Sequence, residues 1–125
     1  MSDFDDTHTF SPEGRWSPEV LKHGYTIVPN LLISGRCQLR LTPTELYVFI
    51  ALESYRWDNI HAPFPSLDTL AKQTGLHKQT VYRATTKLEQ RGLIEKYRRF
   101  SKSTQYDLRP ADDELVHISR INKGV

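Results

Sequence analysis

Ser66 to Leu93, read SLDTLAKQTGLHKQTVYRATTKLEQRGL, writes two short amphipathic helices with only a tight turn's worth of chain between them. Ser66 is a favoured N-cap, and Asp68 stands where the positive end of the helix dipole stabilises a carboxylate. Gly75 ends the first helix. The second begins at His77, with Leu76 before the cap and Val81 four residues after it, the spacing of a hydrophobic staple. Gly92 ends that helix. With Gly92 as the left-handed C′ residue, Leu93 falls at C″ and Leu88 at C3, the pair that meets in a Schellman motif. Val81, Ala84, Thr85 and Leu88 form one inward stripe, and Gln79, Tyr82, Arg83 and Thr86 occupy the opposite face. Ala71, Gly75 and Val81 fit a mechanical role in sequence: a small residue lets the helices approach, glycine makes the turn, and a β-branched residue fills the crossing.

Upstream, Thr42-Pro43-Thr44-Glu45 is a capping box with proline at the first helical position, so a helix starts there and runs to about Arg56. Its interior, Leu46 to Leu52, is apolar nearly all round, which implies burial on more than one side. Ser17-Pro18-Glu19 opens a short helix ending near His23, Tyr25 to Val28 is extended, and Pro29 to Ser34 adds one helical turn stopped by Gly35. Met1 to Trp16 is polar and acidic without helical or strand period and reads as a flexible arm; Asp3, Asp5, Asp6 and His8 belong to that tail rather than to a metal site. Trp57 to Pro65 is a loop in which Pro63 and Pro65 flank Phe64. Ile94 to Phe100 and Thr104 to Leu108 are strand candidates around a polar tip. From Pro110 a short helix is expected, with acids in its first turn and Leu115, Ile118 and Ile121 as an apolar stripe.

The Ala71, Gly75, Val81 spacing resembles the helix-turn-helix pattern of bacterial regulators, and GLIEKYRRF is similar to the strand that opens the wing of winged-helix proteins. Val28-Pro29-Asn30, LTPTEL from Leu41, FPSLDTLA and TVYRATTKLEQRGLI look like the winged-helix family of phage and plasmid replication proteins and small regulators. The resemblance covers roughly residues 25 to 108. It implies a mainly α fold with a small β-hairpin wing, and in such a fold Phe64 would lie in a short first strand paired to the wing. The expected organisation is an acidic arm at 1–16, a winged helix-turn-helix domain at 17–108 and a C-terminal extension at 109–125. The chain departs from the family at His77, where serine is usual; an imidazole accepts a backbone hydrogen bond less readily.

The net charge of +2 conceals an uneven distribution. Residues 72 to 102 hold nine bases (Lys72, Lys78, Arg83, Lys87, Arg91, Lys96, Arg98, Arg99 and Lys102) against Glu89 and Glu95, a local charge of +7. Positive charge thus coincides with the second helix and the wing, as a nucleic-acid footprint would. One cysteine, Cys37, excludes an intrachain disulfide and the usual zinc spacings, and no apolar run approaches the ~20 residues of a membrane helix. No signal-peptide pattern is present, and the expected location is the cytoplasm, in the nucleoid.

In a helix-turn-helix the second helix enters the major groove and presents its N-terminal side chains to base edges. Here the reading helix is 78–91, with Lys78, Gln79, Tyr82, Arg83 and Thr86 as the base-reading set. Gln79 can pair bidentately with adenine and Arg83 with guanine, each worth ~1 to 3 kcal/mol of discrimination. Ser66, Thr80 and Lys87 suit phosphates, Ser66 because free amides and the dipole gather at a helix N-terminus. Arg98, Arg99 and Lys102 in the wing would reach the backbone or an adjacent minor groove. One reading helix covers few base pairs, so a homodimer on a pseudo-palindrome is expected, with surplus apolar surface at Leu31 to Ile33, Leu46 to Leu52 and Leu115 to Ile121.

The leading expectation is a sequence-specific double-stranded DNA-binding protein that regulates transcription. A plasmid or phage replication initiator is the rival that the resemblance favours, although the chain ends soon after the wing, with no second domain for a helicase. A protein-interaction winged helix without DNA binding is disfavoured by the +7 segment. Trp57 to His61 offers one acid and one imidazole without a second carboxylate or nucleophile at a recognisable spacing, so neither enzyme activity nor a cofactor or metal is expected.

Overall fold

Thr42 caps the first long helix of the core as its sequence requires: its hydroxyl accepts from the Glu45 amide at 3.1 Å, while the Glu45 carboxylate accepts from the Thr42 amide at 3.1 Å. The structure, a computed structural model, describes residues 11–56 and 61–122. In chain order the elements are α1 (Pro12–Arg15), α2 (Pro18–Leu21), α3 (Asn30–Ser34), α4 (Pro43–Glu53), α5 (Leu67–Thr74), α6 (Lys78–Gln90), β1 (Glu95–Tyr97), β2 (Gln105–Asp107) and α7 (Pro110–Asn122).

Helices α4, α5 and α6 pack against one another around Val48, Leu52, Leu70, Val81 and Leu88, all at or near zero exposure. Thr85 is equally buried; its hydroxyl donates to the Tyr82 carbonyl at 2.9 Å, which removes the cost of an unpaired polar group. The hairpin closes one side of this core with Ile94, Tyr106 and Leu108, and its strands pair antiparallel with Lys96 opposite Tyr106. Leu32 from α3 and Ala111 and Ile118 from α7 complete it.

Residues 11–16, read as part of a structureless arm, contain α1, where the Ser11 hydroxyl caps the Gly14 amide at 3.2 Å and Pro12 holds the first helical position; residues 1–10, with Asp3, Asp5, Asp6 and His8, lie outside the described residues. The first strand expected around Phe64 is absent among the described residues. Pro63 and Pro65 each lack an amide proton, and among the described residues the backbone bond that joins this segment to the wing is the Tyr106 amide donating to the Pro63 carbonyl at 2.8 Å. The sheet therefore has two strands. Trp57 to Ile60, half of the acid and imidazole pair considered above, also lie outside the described residues.

Helix α7, a terminal helix expected either to pack back or to join a dimer, is longer than expected and packs back: it contacts α3, buries Ala111 and Ile118, and Asn122 exchanges side-chain hydrogen bonds with Gln38 at 3.1 and 3.4 Å. Ile121 points to solvent, off the expected stripe. The apolar surplus assigned to a dimer is largely used within the chain: Leu32, Val48, Phe49, Ala51, Leu52 and Ile118 are buried, and Ile33, Tyr47, Val116 and Ile121 remain exposed.

Candidate nucleic-acid interface

The turn between α5 and α6 sets the reading face. Gly75 adopts φ +73°, a left-handed conformation that costs glycine nothing, and its amide donates to the Ala71 carbonyl at 2.9 Å. His77 caps α6 in spite of its imidazole, with Nδ1 accepting from the Gln79 amide at 3.3 Å. At the far end the Schellman bonds are both made: Leu93 N–H to the Leu88 carbonyl and Gly92 N–H to the Glu89 carbonyl, each 3.0 Å, with Gly92 at φ +72°. Both ends of α6 are thereby fixed. Its stripe Val81, Ala84, Thr85 and Leu88 is buried, so the helix can turn only one face outward.

That face carries the residues expected to read bases. Lys78, Gln79, Tyr82 and Arg83 are exposed, and Thr86 is half-buried. The side chains of Gln79 and Arg83 have no protein partner among the described residues, and neither do those of Lys87 and Thr80. Lys78 lies 3.2 Å from Asp68, but both groups are largely in water, so the pair contributes at most ~1 kcal/mol and can be exchanged for a phosphate. Leu67 and His77, absent from the expected set, line a shallow depression with Lys78, Gln79 and Tyr82.

Ser66 is engaged as a cap. Its hydroxyl accepts from the Thr69 amide at 3.0 Å and donates to the Thr69 hydroxyl at 2.9 Å, so what α5 offers an anion is its first amides and its dipole. These open onto a second depression lined by Ser66, Leu67, Asp68, Lys78, Lys102 and Ser103. The start of both helices and the wing therefore share one face, with Lys102 and Lys78 on the same groove.

In the wing, Arg99 Nε donates to the Ser103 carbonyl at 2.9 Å and its guanidinium lies 5.2 Å from the Phe64 ring centre, while Arg98 stands 3.8 Å from Glu89. Lys102 is exposed. Two of the nine bases behave differently from the rest. Arg91 is turned inward onto Glu45, the buried carboxylate of the α4 capping box, and so ties the end of α6 to the start of α4 instead of facing solvent. Lys96 sits 4.9 Å from the Tyr82 ring centre and donates to the Thr86 hydroxyl at 3.3 Å, bracing two reading residues from the wing. Burial pushes its ammonium below the usual lysine range, with Glu89 acting in the other direction. Its signal in the sequence is strand alternation: Lys96 follows Ile94 by two residues and so shares its inward face.

Among the described residues no group of three or more His, Cys, Asp or Glu side chains could hold a metal ion, and no helix is long and apolar enough to cross a membrane. Two helices joined at a glycine turn over a third, with a hairpin at the end of the second, define a winged helix-turn-helix. Residues 39–94 match the model of a family described as "Helix-turn-helix domain", which agrees with this fold and suggests DNA as the partner. No curated protein matches the chain.

Proposed function

We propose that the protein binds double-stranded DNA sequence-specifically, as a non-catalytic regulator of transcription in the cytoplasm. The observation that carries this reading is the outward face of α6: Gln79 and Arg83 stand unpartnered on a helix fixed at both ends, and cations of the wing continue the same face. Base edges are read by such side chains, and phosphates by Lys87, Lys102 and the amides at the start of α5. Arg83→Ala is expected to weaken binding mostly at one base position, by ~1 to 3 kcal/mol, and Lys102→Ala to weaken it on all sequences alike. Competition of each variant against scrambled duplexes separates the two; equal losses on every sequence would reject the assignment of roles.

An origin-binding role in plasmid or phage replication is the second reading, favoured by the likeness of LTPTEL, FPSLDTLA and TVYRATTKLEQRGLI to replication proteins. Footprinting on origin and promoter fragments decides between them.

The protein acts as a homodimer in this reading, because one α6 spans too few base pairs for useful affinity. Of the segments expected at the contact, Ile33, Tyr47, Val116 and Ile121 stay exposed. Sedimentation velocity with a palindromic duplex should give two protomers per duplex; one protomer at all concentrations, with and without DNA, would reject the dimer.

A further inference from the structure

Residues 98–104, Arg-Arg-Phe-Ser-Lys-Ser-Thr, connect β1 to β2. Ser101 takes φ +56°, the Lys102 amide donates to the Arg99 carbonyl at 3.3 Å, and Arg99 Nε donates to the Ser103 carbonyl at 2.9 Å. This bonding turns the chain at the tip and leaves Phe100 97% exposed, the most exposed large hydrophobic among the described residues. The neighbouring aromatics are all engaged: Tyr97 donates to the Glu95 carboxylate at 2.7 Å, Tyr106 is buried, and Phe64 lies under Arg99. Phe100 has no such partner. A solvated phenyl group forfeits the gain that burial would bring, so the tip holds ready a hydrophobic surface that the fold itself does not use.

Arg98, Arg99 and Lys102 flank Phe100 in the chain, and Lys102 lines the groove shared with Ser66 and Lys78 at the start of the two helices. An apolar side chain among cations, on the side of the domain that carries the reading helix, matches the chemistry of a minor groove: phosphates on both rims and stacked base pairs on the floor. We propose that Phe100 is a wedge, inserting partly between two base pairs in the minor groove beside the site read by α6 and bending the duplex there. The proposal rests on the DNA-binding reading above and adds to it an activity, deformation of DNA, that reading bases does not require. Pyrimidine–purine steps, which unstack most easily, are the expected place of insertion. The wing then contributes specificity through the stiffness of the step as well as through charge.

The test uses a duplex of about 30 base pairs, cut from a genomic fragment that the protein retards in a gel and labelled at both ends for energy transfer. The full chain at saturation should bend it by about 20–90°, and 2-aminopurine beside the wing site should brighten as its neighbour unstacks. Phe100→Ala should leave the duplex nearly straight and bind it roughly tenfold more weakly. Phe100→Leu, still an apolar wedge, should retain most of the bend, and Lys102→Ala should lower affinity without changing the bend at saturation. A wild-type complex with straight DNA and dark 2-aminopurine, or a Phe100→Ala complex as bent as the wild type, overturns the wedge while leaving DNA binding intact. Loss of binding to anionic vesicles in Phe100→Ala, with the DNA bend unchanged, overturns it in favour of a lipid surface. If no fragment is retarded, the DNA-binding reading itself fails, and the wedge with it.

Discussion

Raising the salt concentration from 50 to 200 mM is expected to weaken DNA binding roughly a thousandfold, the largest effect the arrangement of charge implies. With about six phosphate contacts in the complex, drawn from at least partly exposed cations such as Lys72, Lys78, Lys87, Arg98, Arg99 and Lys102, each releasing condensed counterions, a slope of log affinity on log salt near −5 follows. Arg91 does not belong to this set, because its guanidinium is committed to Glu45. Arg91→Ala should therefore leave the slope unchanged in whatever protein remains folded, whereas Lys102→Ala should reduce it by about 1. Fluorescence anisotropy across a potassium chloride series reads both. An affinity independent of salt, or a slope that Arg91→Ala flattens as much as Lys102→Ala does, would show that the charge is distributed otherwise.

The second large effect is on stability. Leu88→Ala should cost about 3 to 5 kcal/mol, a substantial part of what holds a domain of this size together. Leu88 is completely buried where α6 crosses α4, and its carbonyl accepts the Leu93 amide in the Schellman motif. Truncation opens a cavity in this core and removes the apolar side chain at the C3 position of the motif, while the backbone bond itself is kept. Lys87→Ala, one residue away and exposed, should change stability by no more than about 0.5 kcal/mol. Urea unfolding followed by circular dichroism compares them. Equal midpoints for Leu88→Ala and Lys87→Ala would contradict the packing.

What could be read in the sequence was local. The Thr42 to Glu45 capping box, the Ser66 cap, the Gly75 turn and the Gly92 Schellman motif each depend on residues within one turn of each other, and all four form as their spacing dictates. The buried stripe of α6 followed from helical period alone, and with it the outward face. Features that depend on partners distant in the chain were not legible. Nothing around Arg91 distinguishes it from the other bases until Glu45, 46 residues earlier, is brought beside it. Strand alternation puts Lys96 on the inward face with Ile94, but its partners Tyr82 and Thr86 are defined only when β1 lies against α6. Of the apolar segments expected at a dimer contact, the one in α4 packs largely on α5 and α6, and those in α3 and α7 pack on each other, a pairing no local pattern encodes. Pro63 and Pro65 lack the amide donors a strand there would need, a local signal in the sequence against the strand that the likeness to other winged helices implies. His77 shows the reverse: an unusual cap residue whose Nδ1 still accepts the bond that starts the helix.

The most direct test of the central claim, that α6 reads base sequence, is selection of bound duplexes from a random library by the wild-type protein and by Arg83→Ala. The wild type should enrich one motif, and Arg83→Ala should lose information at a single position, a guanine. Recovery of unenriched sequence by the wild type, or the same motif at the same strength from both proteins, would contradict it.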